Sequence, residues 1–426
     1  MDPIAAQAVY IKEEAQRDPR SMARIDRILP FVDCSTGPVV IDDAAWHQIV
    51  IDEGLNRLGR HGLGGDQVRP IVIFNQYLYP HAPEERERRR ERYPELFKGQ
   101  FDQWSGYGGW DWRRSGDRAH RKATGTICQP GYAMHSIWGC HFRCAYCGLG
   151  HMANVYVNLE DWADHIRQGL RGLAGTSGQN LFQWDNGADV SCWEPELGGT
   201  RLLVDLFAQE SDKYLLLYVG KSDNVDYLPD YDHRGHTICC WSLGTETQCR
   251  RVEYRTADME ARLAAARKCQ EAGYTVRIRL SPMVPTAGWR EEVRHMIRRM
   301  FEEIRPDVIT MEPLRYTPYE ALESDFEPGL IDPGFMQAMA EIPDDTEGWD
   351  RSQFPDDLRI EMFRLVLDEV GRLSPDTPVG LCREKRRVWE AMADDFDRMG
   401  QHPDNYVCNC GPRSAGSDRR LVKATA

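Results

Sequence analysis

From Tyr132 onward, apolar runs of strand length alternate with amphipathic stretches of helical period, the pattern of repeated βα units around a parallel sheet. The predicted strands are Tyr132–Trp138, Asn180–Asp185, Tyr214–Val219, Thr237–Ser242, Thr275–Ser281 and Val308–Glu312. They are rich in β-branched, Leu and aromatic residues, as strands covered on both faces must be. The clearest helices are Asp258–Ala272, with Met259, Leu263, Ala266 and Gln270 on one stripe, and Glu291–Ile304, with Val293, Ile297, Met300 and Ile304 on another. Gly273 ends the first of them. The pattern predicts an α/β fold.

Residues 1–128 read differently, as an accessory α+β region with short helical pieces and one strand-like run, Val68–Asn75. Pro83–Tyr93 is a charge-dense helix of mixed sign, which reads as a solvated face. Gly106–Lys122 interleaves Trp110 and Trp112 with Arg113, Arg114, Arg118, Arg121 and Lys122. That mixture suits either a loop packed by its tryptophans or a surface that stacks a base and holds a phosphate. Residues 129–319 form the βα core. Residues 320–426 form an extension that opens with an acidic, Pro- and Gly-containing flap (Glu320–Asp357), continues as helix and ends in a Cys408-Asn409-Cys410 tail.

Charge changes the picture of the substrate. The 426 residues carry 53 Lys and Arg against 67 Asp and Glu, a formal net charge of −14. This disfavours a protein that grips nucleic acid mainly through backbone phosphates, and so favours a small-molecule substrate. No run approaches the roughly 18 apolar residues of a membrane span, and the opening residues lack the basic and apolar blocks of a secretory leader. A reducing cytoplasm is the expected address. There, clustered cysteines hold metal or do redox chemistry more often than they form disulfides, and the chain has 13.

The strongest chemical signal is Gly139-Cys140-His141-Phe142-Arg143-Cys144-Ala145-Tyr146-Cys147-Gly148, just past the first strand. Cys140, Cys144 and Cys147 on one short loop can each bind a different iron of a [4Fe–4S] cube and leave the fourth iron open to a ligand. Tyr146 adds a flat packing wall. Two other readings compete: a zinc site completed by His141 or His151, and three unrelated buried thiols.

This motif resembles that of the radical S-adenosylmethionine superfamily, CxxxCxxC with an aromatic residue before the last cysteine. The resemblance implies a partial (β/α)6 barrel of the TIM type and S-adenosylmethionine chelated by the open iron. It also implies an external one-electron reductant of flavodoxin or ferredoxin type, and reductive cleavage to a 5′-deoxyadenosyl radical. A longer resemblance is to the spore photoproduct lyase family. It rests on Val219–Leu228, Ser242, Glu253, Thr256–Ala266, Ala272–Tyr274, Leu280–Pro285 with Trp289, and Leu381–Glu384 with Val388–Trp389. It implies that Lys221 and Ser242 contact S-adenosylmethionine. Where the lyases keep a cysteine hydrogen donor this sequence has Asn186, and Gly244 stands where they have asparagine. These departures favour radical modification of a small metabolite or nucleoside over a DNA photolesion lyase, with a non-enzymatic iron–sulfur or zinc module as a third reading. Cys192 is the candidate donor from a displaced position, or a packed thiol.

The remaining candidates lie at predicted strand ends, where barrel chemistry is sited. The resemblance implies that Asp185 and Asp189, with Asn186 between them, meet the amino group or ribose of the cofactor; read from the residues alone, the acids could equally form turn and cap contacts. Arg279 is directed into the barrel. Glu312, Arg315 and Tyr316 anchor substrate or, through Tyr316, relay a hydrogen atom; alternatively they form a structural ion pair. Trp138, Trp184, Trp193 and Trp241 either line the mouth or pack the core. Cys408 and Cys410, with Cys382, either ligate an auxiliary cluster or form a metal-free tail that caps the site.

Overall fold

A computed structural model describes the chain except residues 2, 56–60, 64–66, 68, 80–82, 99, 114–117, 150, 174–177 and 417–426. Val68 of the predicted accessory strand and Arg114 of the Trp/Arg stretch lie outside the described residues.

The six predicted strands form one parallel sheet in chain order: β1 (Gly131–Met134), β2 (Leu181–Trp184), β3 (Tyr214–Gly220), β4 (Thr237–Ser242), β5 (Thr275–Met283) and β6 (Ile309–Pro313). A seventh, β7 (Val379–Leu381), pairs in parallel with β6, and Trp110–Arg113 pairs antiparallel with β1 at the other edge. Thr126–Ile127, just before β1, pairs with Glu384–Lys385, just after β7. This short ladder ties the segment entering β1 to the segment leaving β7. The fold is the partial (β/α)6 barrel expected, extended by one strand.

Local chemistry sets the helices. Asp258 caps Met259–Glu271 by accepting the amide of Ala261. The buried stripe of that helix runs through Met259, Leu263, Ala266 and Cys269. Gln270, placed on the stripe by the sequence, instead bonds the carbonyl of Arg305. A second sheet takes in the accessory region, in the order Pro38–Ile41, Ala8–Lys12, Ile71–Asn75, Met152–Tyr156, Ile137–Trp138. The predicted first strand is thus divided: its tail, Ile137–Trp138, pairs antiparallel with Met152–Tyr156. The cysteine segment spans the link between these two strands and is held from both ends.

The acidic stretch Glu320–Asp357 is a packed layer rather than a loose flap. Its helices Tyr319–Asp325 and Pro333–Ala340 sink Leu322, Phe335 and Met339 into the main core, joined by Phe326, Leu330 and Ile331 between them. The tail plugs the N-terminal end of the barrel. Arg277 donates to the carbonyl of Asn409 at 2.7 Å, Asn409 donates to that of Ile278 at 2.8 Å, and the amides of Asn180 and Leu181 donate to that of Pro412. Cys410 packs there against Tyr218 and Cys240. Among the described residues no helix is long and apolar enough to cross a membrane.

Candidate functional site

The cysteine loop is rigid for identifiable reasons. Gly139 has φ +78°, and a Cβ there would lie 1.9 Å from the carbonyl of Met152, so the loop can leave β1 so close to the second sheet only with glycine. Arg143 is fully buried and donates to the carbonyls of Cys140 and Phe142, both at 2.7 Å. Arg143–Cys144 pairs antiparallel with Glu253–Tyr254, and the amide of Cys147 closes a turn on the carbonyl of Cys144.

All three thiols are free of disulfides; Cys144 is buried and the other two are half-buried. Burial, reinforced by Cys147, pushes the Cys140 thiol up to about 12. Burial likewise raises Cys144, with Glu253, Cys147 and Cys140 adding to it, and raises Cys147. Three sulfurs on one short buried loop, none of them in a disulfide, are the donor set of a cube with one open iron. Among the described residues no three His, Cys, Asp or Glu side chains, the three cysteines included, are already placed as ligands of a single metal ion. His141, one candidate zinc ligand, packs against Phe142, and burial pulls its pKa down to about 3.

Next to the loop, a buried network gathers four of the predicted cofactor residues. Tyr146 donates to Glu253 at 2.6 Å, and Arg262 donates to the other oxygen of Glu253 at 2.7 Å and to the carbonyl of Ser242 at 2.9 Å. The Lys221 ammonium lies 5.8 Å from the centroid of the Tyr146 ring. The Lys221 amide donates to Asp189 at 2.5 Å, reaching back across the end of β3. Gly220 permits this approach, because a Cβ at its φ of +75° would meet the same carboxylate at 2.1 Å. Burial opposes the Lys221 charge, but Glu253, Cys144 and Asp189 outweigh it and hold its pKa above the usual lysine value. Burial pushes Asp189 up to about 7, and its Oδ1 is buried without a hydrogen-bond partner. A polar ligand bearing a carboxylate and an ammonium is matched by this pair.

Other candidates lie elsewhere. Asp185 is engaged by His135 at 2.7 Å and by the amides of Ser136 and Gly187, a turn contact within the core, and Asn186 is exposed. Cys192 is fully buried and donates to the carbonyl of Asp189, so it fills the core rather than facing the lumen. Trp138, Trp184, Trp193 and Trp241 are also buried, so these indoles pack the core rather than line the mouth. Arg279 does enter the lumen, 4.9 Å above the Tyr218 ring and 3.5 Å from Glu312, which Ser281 also bonds. Glu312 pairs with Arg315. Tyr316 lies on the outer rim, 47% exposed. Cys408 and Cys410 lie close to each other and to Cys382. Glu253 and Arg262 were not legible in the sequence as the tie between loop and barrel; an acid and an arginine nine positions apart beside a serine strand end were its only trace.

This geometry defines a parallel-barrel scaffold with a three-thiol loop at the C-terminal mouth. The family model described as Spore photoproduct lyase matches residues 124–317. The chain is 26% identical over 194 residues to the spore photoproduct lyase of Bacillus subtilis (strain 168), covering 43% of this chain and 56% of that protein. It is 26% identical over 199 residues to that of Geobacillus sp. (strain Y412MC61), with the same coverage. The match thus spans little more than half the length of these relatives. A cysteine-to-alanine variant of spore photoproduct lyase, solved with dinucleoside spore photoproduct, superposes with a TM-score of 0.60 at 17% identity, covering 89% of this chain and 99% of the other. A doubly substituted variant with bound AdoMet and the same dinucleoside gives 0.58 at 15% identity. The structural likeness shows the barrel fold. Together with the family match, it upholds the resemblance read from the cysteines: the chain is similar to the spore photoproduct lyase branch of the radical S-adenosylmethionine enzymes.

Proposed function

We propose that the chain is a radical S-adenosylmethionine enzyme that acts on a nucleotide lesion, with Cys140, Cys144 and Cys147 holding one [4Fe–4S] cluster. The observation that carries this reading is the place of Tyr146, which ties the three-thiol loop to Glu253 by a hydrogen bond and lies 5.8 Å from the ammonium of Lys221, whose amide bonds Asp189. When bound, cluster and cofactor supply radical hydrogen abstraction. The chain's own part is placement. Lys221 offers an ammonium to the methionyl carboxylate, Asp189 offers a buried acceptor to the methionyl amine, and the Tyr146 ring walls the loop from water. Arg279 and Glu312 give the lumen a charged pair for substrate.

The net charge alone favours a small metabolite. The dinucleoside named in the relatives' structures and the basic, aromatic rim around Tyr316 and Arg383 support a nucleic-acid substrate instead. A photolesion lyase is therefore the preferred reading, with its hydrogen donor in a different place, since Asn186 is exposed and Cys192 is packed. The electron comes from a flavodoxin- or ferredoxin-type donor, and the cytoplasm suits 13 cysteines without a disulfide.

The test is anaerobic reconstitution with iron and sulfide, then S-adenosylmethionine and dithionite with and without a lesion-bearing oligonucleotide. A brown protein that forms 5′-deoxyadenosine and restores the lesion is expected. A reconstituted protein that stays colourless and forms no 5′-deoxyadenosine overturns the reading.

A further inference from the structure

The geometry points to a platform on the barrel rim that stacks one unpaired nucleobase on Tyr316 and holds the adjoining phosphate with Arg383; this rests on the proposed nucleotide chemistry. Strands β6 and β7 lie side by side and end at Pro313 and Leu381. Shortly beyond each, one bulky residue adopts the left-handed region: Tyr316 with φ +58° and Arg383 with φ +52°. Side chains rarely adopt that backbone without compensation, and such positions gather at binding and catalytic sites.

Both residues turn onto Trp349, which the acidic layer supplies. The Tyr316 and Trp349 rings meet edge to face at 5.3 Å, and the Arg383 guanidinium lies 4.7 Å from the Trp349 centroid and 5.8 Å from that of Tyr316. Arg315 approaches the same two rings from the barrel side. Tyr316 is 47% exposed, among the most exposed large hydrophobic residues of the described chain. An exposed ring fixed by strained backbone adds little to the core, but it offers a flat face of the kind on which bases stack without regard to sequence.

Charge supports the same partner. Lys385 and Arg387 nearby are neutralised by Asp350 and Asp356. Arg383 forms no ion pair among the described residues, and its Nε is buried without a hydrogen-bond partner. The helix Arg118–Thr124 meets the platform through His120, 6.1 Å from Trp349, and carries exposed Arg118 and Lys122. Arg383 therefore brings a cation without an ion-pair partner among the described residues to an aromatic face, beside the exposed carboxylates of Asp344, Asp345 and Glu347 on the segment that carries Trp349. Because the strands are parallel, Tyr316 and Arg383 stand at the same barrel end as Cys140, Lys221 and Asp189, where a strand held at the rim can present its lesion to the lumen.

The test titrates reconstituted full-length protein with a labelled, lesion-free oligothymidylate at several salt concentrations. Tyr316→Ala should weaken binding about tenfold and Tyr316→Phe should bind as wild type, because stacking needs the ring and not the hydroxyl. Arg383→Gln should lower the slope of log affinity against log salt by about 0.7, the loss of one phosphate contact on a single strand. Cluster absorbance confirms that each variant is folded. Unchanged affinity in Tyr316→Ala, an unchanged slope in Arg383→Gln, or equal competition by polyglutamate would overturn the platform. Cofactor cleavage by wild type without oligonucleotide is scored separately, so failure of the platform and failure of the radical chemistry give different results.

Discussion

Tyr146 donates its phenolic hydrogen bond to Glu253 at 2.6 Å, and through it the wall of the cysteine loop is fixed to the segment that follows β4. Glu253 is itself held by Arg262 and by Gln248 at 2.9 Å, all three fully or almost fully buried. Arg262 and, less strongly, Lys221 keep the Glu253 carboxyl below its ordinary range despite burial. A single oxygen of Glu253 thus receives bonds from both the loop and the barrel, and the loop cannot shift without breaking the network.

Removing one member of this network leaves a buried charge without its partner. Arg262→Ala is expected to destabilise the protein by about 3–5 kcal/mol, measured by denaturant unfolding. The double variant Glu253→Gln with Arg262→Met should lose much less stability, since no isolated charge remains, but should bind iron more weakly because Tyr146 is less firmly held. A loss below about 1 kcal/mol in Arg262→Ala would mean that the network does not organise the loop.

The pH dependence follows from Asp189, which burial raises to about 7. Its unfolded value is near 3.9, so the folded state binds the proton more tightly. The stability it contributes is complete below the unfolded value and is lost as pH rises through about 7. Cofactor binding runs the opposite way. The ammonium of S-adenosylmethionine favours the ionised carboxylate, so affinity should climb by up to about tenfold per pH unit below about 7 and level off above. Calorimetric titration of reconstituted wild type and Asp189→Asn checks this, and the variant should show a flat profile. The same slope in both proteins would remove Asp189 from the cofactor site.

Replacing Cys140, Cys144 or Cys147 by Ala should abolish the broad visible absorbance and cofactor cleavage together. Cys192→Ala should leave both in place. Its thiol is fully buried and bonds the Asp189 carbonyl, so the expected effect is a cavity cost of about 1–2 kcal/mol in stability. Iron content and absorbance per protein, measured beside the unfolding midpoint, separate the two classes. A Cys192→Ala protein without iron would show that the ligand set is misassigned.

How much of this was legible in the sequence depended on range. The strands and the cysteine loop follow local rules, namely apolar runs and short spacings, and they were readable. The resemblance to the lyases and their place at predicted strand ends single out Lys221 and Ser242, and the structure sets both near the cysteine loop, Ser242 through its carbonyl. The tie between Tyr146 and Glu253 spans 107 residues, and no local pattern encodes it. Asp185 and Asp189 look alike in sequence, yet one turns to His135 in the core and the other to the Lys221 amide, because both lie beyond Trp184, the last strand residue, where the path of the turn rather than strand alternation sets direction. Tyr316 was legible as a strand-end residue but not as a rim residue, since its left-handed backbone turns it toward Trp349. The acidic segment misled because its charge is on the outside while its apolar residues, spaced at helical intervals, are packed within.

Backbone geometry and cofactor chemistry meet at Gly220. Its φ is +75°, and the Asp189 carboxylate lies 2.1 Å from where a methyl group on its Cα would sit, which leaves no room for a side chain. Gly220→Ala is therefore expected to cost more than about 1 kcal/mol in stability and to weaken cofactor binding by breaking the Asp189 bond to the Lys221 amide, with cluster content unchanged. Removing the carboxylate should relieve the crowding, so Gly220→Ala combined with Asp189→Ala should lose at least about 0.5 kcal/mol less than the sum of the single losses, the coupling expected of groups in direct contact. Denaturant unfolding of wild type, the two single variants and the double variant measures it. Strict additivity would mean that the two residues do not touch, and the alignment of Lys221 with the cysteine loop would need another cause.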